Sequence, residues 1–469
     1  MGENAGMRRF PLLLLAPAFA LAVAVPAAAQ STATTTTTAP APLVAEWTRV
    51  TDAAGRNIDE VGIVRTSDNV LHVFWRQKVP GGTEEQIVHT PVATTGDVGA
   101  TNVASGPYAS AGNPVAILTS DGGVRIFFAG LTGSSSPLDG VLSASAKSDG
   151  QTWTTDASRV SSTTSAIPEG VGAGLRADGT PEFTYAYSFV LGLHVGLDPA
   201  TPDTDLLPGN ACCAYLPNLA FTKGGTGVLA WYSNVENEVG TWAQPVAPQM
   251  GTKVLAPGSV ATDGKAIAPS QRTPVVTRTG TEDVYLAYCG GYPTCTQVLV
   301  WKVGTPTPIT VATGRDVEAV NLASDPDGRL WVMWEDAIDR SLHAVRSNED
   351  ATEFGAPVAF SGPTATETIW KVQGSALKDA LDVFASATTP SSLATWHTKV
   401  LPGLGVDTAT AKGGVTFTVT DAGEPVAGAK VKLGKKTVTT DKLGKATAKG
   451  RGVAEVTKAG YSTATVAVS

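Results

Sequence analysis

Six side chains with oxygen donors each stand just before a short apolar segment of the chain: Glu60, Asn113, Glu169, Asn218, Glu318 and Glu367. Four of them are carboxylates. If those segments pack side by side, the six converge on one opening and could bind a cation or a polar ligand. Calcium is the cation that prefers such oxygens, given six to eight converging on it. The competing reading is a set of solvated loop carboxylates. Four cysteines, Cys212, Cys213, Cys289 and Cys295, suggest two disulfides in an oxidising compartment, with three connectivities open. Cys289 and Cys295 bracket a five-residue loop and can close it, whereas the adjacent Cys212 and Cys213 can bridge each other or cross to the other pair. No CxxC pair occurs and the five histidines are scattered, which argues against a thiolate zinc site. Trp47, Trp242, Trp370 and Tyr292 lie outside the apolar hairpins, where a ring can stack on a sugar face.

The elements that would position these groups recur. A short apolar segment, a turn rich in Asp, Gly or Asn, and an alternating strand ending in aromatics repeat through residues 45–400, as in VGIVRTSDNVLHVFW (61–75) and NLASDPDGRLWVMWE (321–335). The anchors Trp75, Phe128, Tyr187, Trp231, Tyr288, Trp334 and Phe384 are spaced by 53, 59, 44, 57, 46 and 50 residues. Each unit reads as a hairpin whose tight turn needs the positive φ of Gly or Asn. The last unit, 371–385, is the poorest match. One such unit cannot bury both of its faces, so the units must stack. Radial stacking into a β-propeller protects the sheet edges. The expected fold is therefore all-β, a six- or seven-bladed propeller over 45–403.

Composition agrees. The 469 residues include 50 Gly and 30 Pro, about 17% of the chain against a usual 12%, and only 16% are charged. That excludes a coiled coil, a helical bundle and a polar disordered chain. The net charge of −8 argues against a nucleic-acid partner. Arg8 and Arg9, an apolar run and Ala27-Ala28-Ala29 read as a secretory signal over 1–29, followed by a Thr/Pro/Ala-rich linker over 30–44. No second long apolar run follows, so the mature chain is expected outside the cytoplasm, at the cell surface or wall, without spanning a membrane.

The segment Ser148-Asp149-Gly150-Gln151-Thr152-Trp153 resembles the Asp-box of sialidase-like β-propellers. Gly150, Thr152 and Trp153 match that motif, while Ala146 and Ser148 stand where it has Ser and Asp. The resemblance implies a hairpin-stabilising turn far from any catalytic pocket. A sialidase further needs an arginine cluster for the substrate carboxylate, a tyrosine nucleophile with a glutamate, and an aspartate acid/base. The family's leading Arg-Ile-Pro element does not occur here. Arg56, Arg65, Arg278 and Arg346 carry no flanking signature, and Tyr285 and Tyr288 alternate as core positions do. No catalytic residue is assigned.

Composition changes after residue 403. A short linker is expected over 404–411. Residues 412–469 hold ten Lys and Arg against four Asp and Glu, a net of +6, which leaves −14 for the rest of the chain. Pro425-Val426 with Gly428-Ala429 and Val431, Thr440-Asp441 with Gly444, and Ala459-Gly460-Tyr461 resemble the carboxypeptidase-regulatory-like, Ig-type modules of exported proteins. The resemblance implies a small non-catalytic β-sandwich. Its lysines read as a solvated face or as weak attachment to anionic wall polymers. Together these features point to an exported non-catalytic binding protein for a glycan, a cell-wall polymer or a surface protein. The alternatives are a sialidase-like exo-glycoside hydrolase and an extracellular scaffold. No cofactor is expected beyond the calcium considered above.

Overall fold

The computed structural model describes residues 45–51, 60–132, 139–162, 170–187, 190–206, 214–234, 239–260, 272–290, 295–314, 316–338, 340–363, 369–388 and 393–468. These belong to one compact unit, Pro40–Ser469. The signal and Thr/Pro segments expected over 1–44 lie outside the described residues, among which no helix is long and apolar enough to cross a membrane.

Among the described residues, seven antiparallel sheets follow one another in chain order. The first six are built from consecutive strands over 62–108, 110–155, 170–205, 214–255, 275–313 and 317–361. The seventh combines Ile369–Ala376, Leu381–Thr388 and Leu393–Val400 with Thr48–Arg49 from the start of the chain. Thr48 pairs with His397 and Arg49 with Trp396. The first strand of each sheet (in the second sheet Val115–Leu118) lies beside the corresponding strand of the next, and that of the seventh beside Gly62–Arg65 of the first. The circle is closed, and the fold is a β-propeller.

Seven buried apolar clusters lie between consecutive sheets, and strand alternation explains them. Successive side chains on a strand point to opposite faces. Phe128 therefore packs toward the first sheet with Phe74 and Tyr108, while Phe127 packs toward the third with Phe183 and Tyr185. In the sixth sheet Trp334 and Val332 face the fifth, while Trp331 and Met333 face the seventh. Both faces of each second strand are covered, so these strands read as near-continuous apolar runs. Each fully buried aromatic contributes about 1.5–3 kcal/mol. The segment around 371–385, the weakest repeat by sequence, forms the first hairpin of the seventh sheet like the others.

The two ends of the propeller differ. Turns joining first to second and third to fourth strands lie at one end, the turn end. Connections from second to third strands, and from each sheet to the next, lie at the other, the mouth. At the turn end polar side chains tie neighbouring sheets together. Arg65 pairs with Asp382, Arg278 donates through Nε to the Gly328 carbonyl at 2.8 Å, and the Gly224 N–H donates to Glu282 at 2.9 Å.

Residues 405–468 form two four-stranded sheets around their own core of Phe417, Val419, Val431, Leu433, Ala454 and Val456. This is the expected sandwich, with one correction. Residues 404–411 were expected to be a linker, but Gly405–Ala411 is a strand paired residue by residue with 414–420. Its Thr and Ala residues carry too little hydrophobic contrast to announce a strand. The sandwich is docked on the sixth sheet by charge. Arg346 pairs with Asp421, both buried, and Arg329 pairs with Glu424, whose other oxygen accepts the Glu349 N–H at 2.9 Å.

Candidate functional site

The mouth is where the six sequence-selected residues were expected to converge, and the structure places four of them. Glu60 precedes the first strand of the first sheet as expected, but it is buried and faces Arg272, which precedes the fifth sheet. The Arg272 N–H donates to Glu60 at 3.2 Å and its guanidinium lies 3.7 Å away, so this pair links the first and fifth sheets. Asn113 precedes its strand, and its Oδ1 is shut from solvent with no hydrogen-bond partner. Asn218 and Glu318 lie within first strands instead of before them, because β-bulges extend those strands toward the mouth. The Asn218 Nδ2 donates to the Thr273 carbonyl at 3.1 Å, and Glu318 lies 3.9 Å from Arg340. Glu169 and Glu367 lie outside the described residues. Glu60 and Glu318 are thus each matched to an arginine, and among the described residues no group of three His, Cys, Asp or Glu could hold a metal ion.

The expected loop bridge forms: Cys289 and Cys295 are joined by a disulfide across the connection between the second and third strands of the fifth sheet. Cys212 and Cys213 lie outside the described residues, as do Arg56 and Tyr292, and the Trp370 side chain is not described. Trp47 donates to the Ser361 carbonyl at 2.9 Å and packs on Phe360, so it anchors the closing strand. Trp242 stacks on Trp231 beneath the Lys253 ammonium. Both rings are engaged within the propeller. Arg65, Arg278 and Arg346 do not converge either; each ties structural elements together at the turn end.

The five histidines are spread over four sheets but share one kind of environment. All are buried, and four lie directly across from an aromatic of the preceding strand: His89 from Phe74, His194 from Phe183, His343 from Trp334 and His397 from Phe384. Ring centroids in these pairs are 4.9–5.1 Å apart. Hairpin lengths differ between sheets, which hides this register from the sequence. His89 Nε2 meets His72 Nδ1 at 2.8 Å and His89 Nδ1 meets Asn102 Oδ1 at 3.0 Å. Burial, reinforced by the neighbouring His72, pushes the His89 pKa down to about 4. Burial also lowers His72. Below the unfolded value of about 6.5 the unfolded chain therefore takes up a proton that the folded one refuses, and stability falls with pH until about 4. Burial pushes Glu182 and Glu335 up to about 7, which works in the opposite direction between 4.5 and 7. A variant separates the two effects. His89→Gln should lose less stability than wild type between pH 6.5 and 4.5, by about 2 kcal/mol in chemical denaturation. Equal losses in the two proteins would refute the assignment.

The turn end carries a cavity that the sequence did not announce. An open cleft of about 810 Å³ lies between the second and third sheets. Thr119, Ser120, Asp121, Lys147, Asp149, Thr152 and Thr154 supply polar groups along it, and Ile117, Leu175, Pro181 and Leu197 supply apolar surface. Arg125 also lines it, donating to Asp156 at 2.9 Å. Asp121 is fully exposed and accepts from Thr119 and from the Gly123 N–H, which hold its carboxyl below the usual range. These residues come from four turns and the strands beside them, each of which looks like ordinary turn chemistry in sequence.

No family model matches the chain, and no curated protein matches it. Solved structures do. A polysaccharide lyase, Uly1, is 9% identical over 75% of this chain and 91% of its own, with a TM-score of 0.44. An α-L-arabinanase of Penicillium chrysogenum complexed with arabinobiose is 11% identical over 66% of this chain and 98% of its own, at 0.44. A Trypanosoma rangeli sialidase mutant displaying trans-sialidase activity is 10% identical over 76% of this chain and 60% of its own, at 0.45. The closed circle of sheets, and not these distant likenesses, carries the fold assignment.

Proposed function

We propose that this is an extracellular, non-catalytic binding protein whose propeller holds a glycan in the cleft between the second and third sheets. The observation that carries the reading is the cleft itself. Its volume falls in the range of small-ligand sites, about 300–1,000 Å³, and it joins apolar surface to several hydroxyls and both signs of charge. Sugars present the complementary mixture: hydroxyls that donate and accept, and C–H faces that give up apolar area. A hydrolase would also need an acid that keeps its proton near neutrality and touches the substrate. The two carboxyls raised to about 7, Glu182 and Glu335, have side chains closed to solvent, and the cleft's own Asp121 is held in its ionised form. The reading requires no cofactor.

The test is a glycan panel probed with the full mature chain, scoring retention and released sugar together. Retention without release is expected. Lys147→Ala combined with Thr152→Ala should weaken retention about tenfold, the effect of losing one charge-assisted hydrogen bond of about 1.4 kcal/mol. Release of sugar would replace the binder with a hydrolase, and retention unchanged in the variant would move the site elsewhere.

A further inference from the structure

The outermost strand of a sheet leaves backbone groups without a neighbour, and proteins protect such edges by shortness, bulges, proline, lysine or a cover. All seven outer edges of the propeller are protected in one of these ways. Trp153–Thr155, Thr204–Asp205, Val254–Leu255 and the closing Thr48–Arg49 are two or three residues long. Asn102–Tyr108 and Ile309–Thr313 meet their neighbours through β-bulges. Val358–Ser361 is covered by the chain at Ala45 and Trp47, both of which donate to Ser361.

The sandwich leaves one edge open. Gly405–Ala411 is seven residues long and pairs with 414–420 without a register shift. It contains neither proline nor lysine, and Asp407, Thr408, Ala409 and Thr410 are exposed. The other outer strands of the sandwich are two to five residues long. Val419, across from Val406, shows which way the backbone groups of this edge point. Its N–H donates to the Gly444 carbonyl at 2.8 Å and its carbonyl accepts the Val426 N–H at 2.9 Å, both on the far side. In an antiparallel ladder two opposed residues either exchange both bonds or both bond outward. Val406 therefore turns its N–H and C=O out of the sheet, and by alternation so do Thr408 and Thr410. Among the described residues these groups have no backbone partner, and the nearby strand Ala464–Val468 does not pair with them.

We infer that Gly405–Ala411 is where two copies of this chain join, strand to antiparallel strand about a two-fold axis at Thr408. That register is self-complementary. Thr408 meets the partner's Thr408 and Val406 meets the partner's Thr410, each pair exchanging both hydrogen bonds, so every outward group is matched. Asp407 meets the partner's Ala409, and Lys412 meets the partner's Leu404, so like charges do not face each other. Slipping the register one way would set Asp407 against the partner's Asp407, and slipping it the other way would leave Val406 opposite the turn residue Lys412. The pairing also brings ends of opposite charge together. The Lys412 end of each sandwich reaches the level at which the partner's strand leaves its propeller, and residues 412–469 carry a net +6 against −14 for the rest of the chain. An unrelated extended peptide would gain the backbone bonds without this match. Two copies so joined present two clefts to one polymer, a gain in avidity that rests on the glycan reading, although the pairing itself does not.

Sedimentation velocity of the full mature chain over a range of concentrations tests the pairing. The wild type should pass from monomer to dimer as concentration rises. Thr408→Pro should weaken association at least about tenfold, because proline removes an outward donor and is tolerated on an edge whose N–H faces solvent. Cooperative melting checks that this variant is folded. Thr408→Cys should oxidise to a covalent dimer, since a hydrogen-bonded pair holds its Cα atoms about 5.5 Å apart, within disulfide reach. Lys432→Cys, exposed on the other sheet of the sandwich, should not. A wild type that stays monomeric up to about 0.5 mM would overturn the inference. So would a dimer that survives Thr408→Pro unchanged, or a Thr408→Cys variant that cross-links no faster than Lys432→Cys.

Discussion

Replacing Gly150 with alanine is expected to destabilise the propeller by about 2–5 kcal/mol, against about 1–2 kcal/mol for the same change at Gly122. Both glycines occupy tight turns with positive φ, +63° at Gly150 and +81° at Gly122. A left-handed backbone penalises any side chain, and at Gly122 that is the whole effect, because an added Cβ would meet nothing within 4 Å. At Gly150 the Cβ would stand 2.6 Å from His89 Cε1 and 2.9 Å from His72 Nδ1. Neither ring can move aside. His89 is stacked on Phe74 and bound to Asn102, and His72 is bound to His89. The Gly150 carbonyl also accepts from Trp153 Nε1 at 2.9 Å and from Asn102 Nδ2 at 3.1 Å, and Trp153 packs edge-on against Phe74. The turn at 148–153 thus fastens the second sheet to the first. Urea denaturation of the two variants separates strain from packing. If Gly150→Ala lost no more stability than Gly122→Ala, the His72–His89 contact would carry no weight.

That turn shows how much the sequence exposes and where it stops. The local signal, a glycine in a tight turn followed by tryptophan, is legible because turn geometry depends on neighbouring residues. The partner of the turn is not, since His72 and His89 lie 78 and 61 residues earlier. The same division holds throughout. Seven aromatic anchors announce seven hairpins because burial on both faces forces apolar runs. Closure of the circle by the two-residue strand Thr48–Arg49 has no such pattern, as two residues have no periodicity. Glu60 could be chosen by position, but its match with Arg272 is made 212 residues away by the stacking of sheets. Bulges moved Asn218 and Glu318 inside strands, a one- or two-residue shift that hydrophobic patterning cannot register. The cleft escapes for a related reason: it is made by the spacing between sheets, and its lining residues each have an ordinary reason to be in a turn.

The docked sandwich carries the other large expected effect. Arg346→Ala should release the C-terminal domain from the sixth sheet at a cost of about 3–5 kcal/mol, because it strands a buried carboxylate. Asp421 is 3% exposed and would keep only the Tyr461 hydroxyl, at 3.2 Å. Arg346 is equally committed, donating to the Lys378 carbonyl at 3.0 Å and lying over the rings of Trp331 and Tyr461. Removing Asp421 instead would leave the guanidinium buried among aromatics, so Asp421→Ala should have a comparable effect. The net worth of the intact pair is a different quantity, since desolvation offsets much of its attraction. Replacing both partners with apolar groups, Arg346→Met with Asp421→Leu, should therefore recover most of the loss. Calorimetry distinguishes these outcomes. The wild type should melt with its two domains coupled, and either single variant should show an early transition together with new proteolytic cleavage near residues 401–405. The double variant should return toward wild type. Single variants that melt as wild type would mean that the buried pair does not hold the domains together, and that docking rests on the Arg329–Glu424 pair and the packing of Ala422 on Gly355.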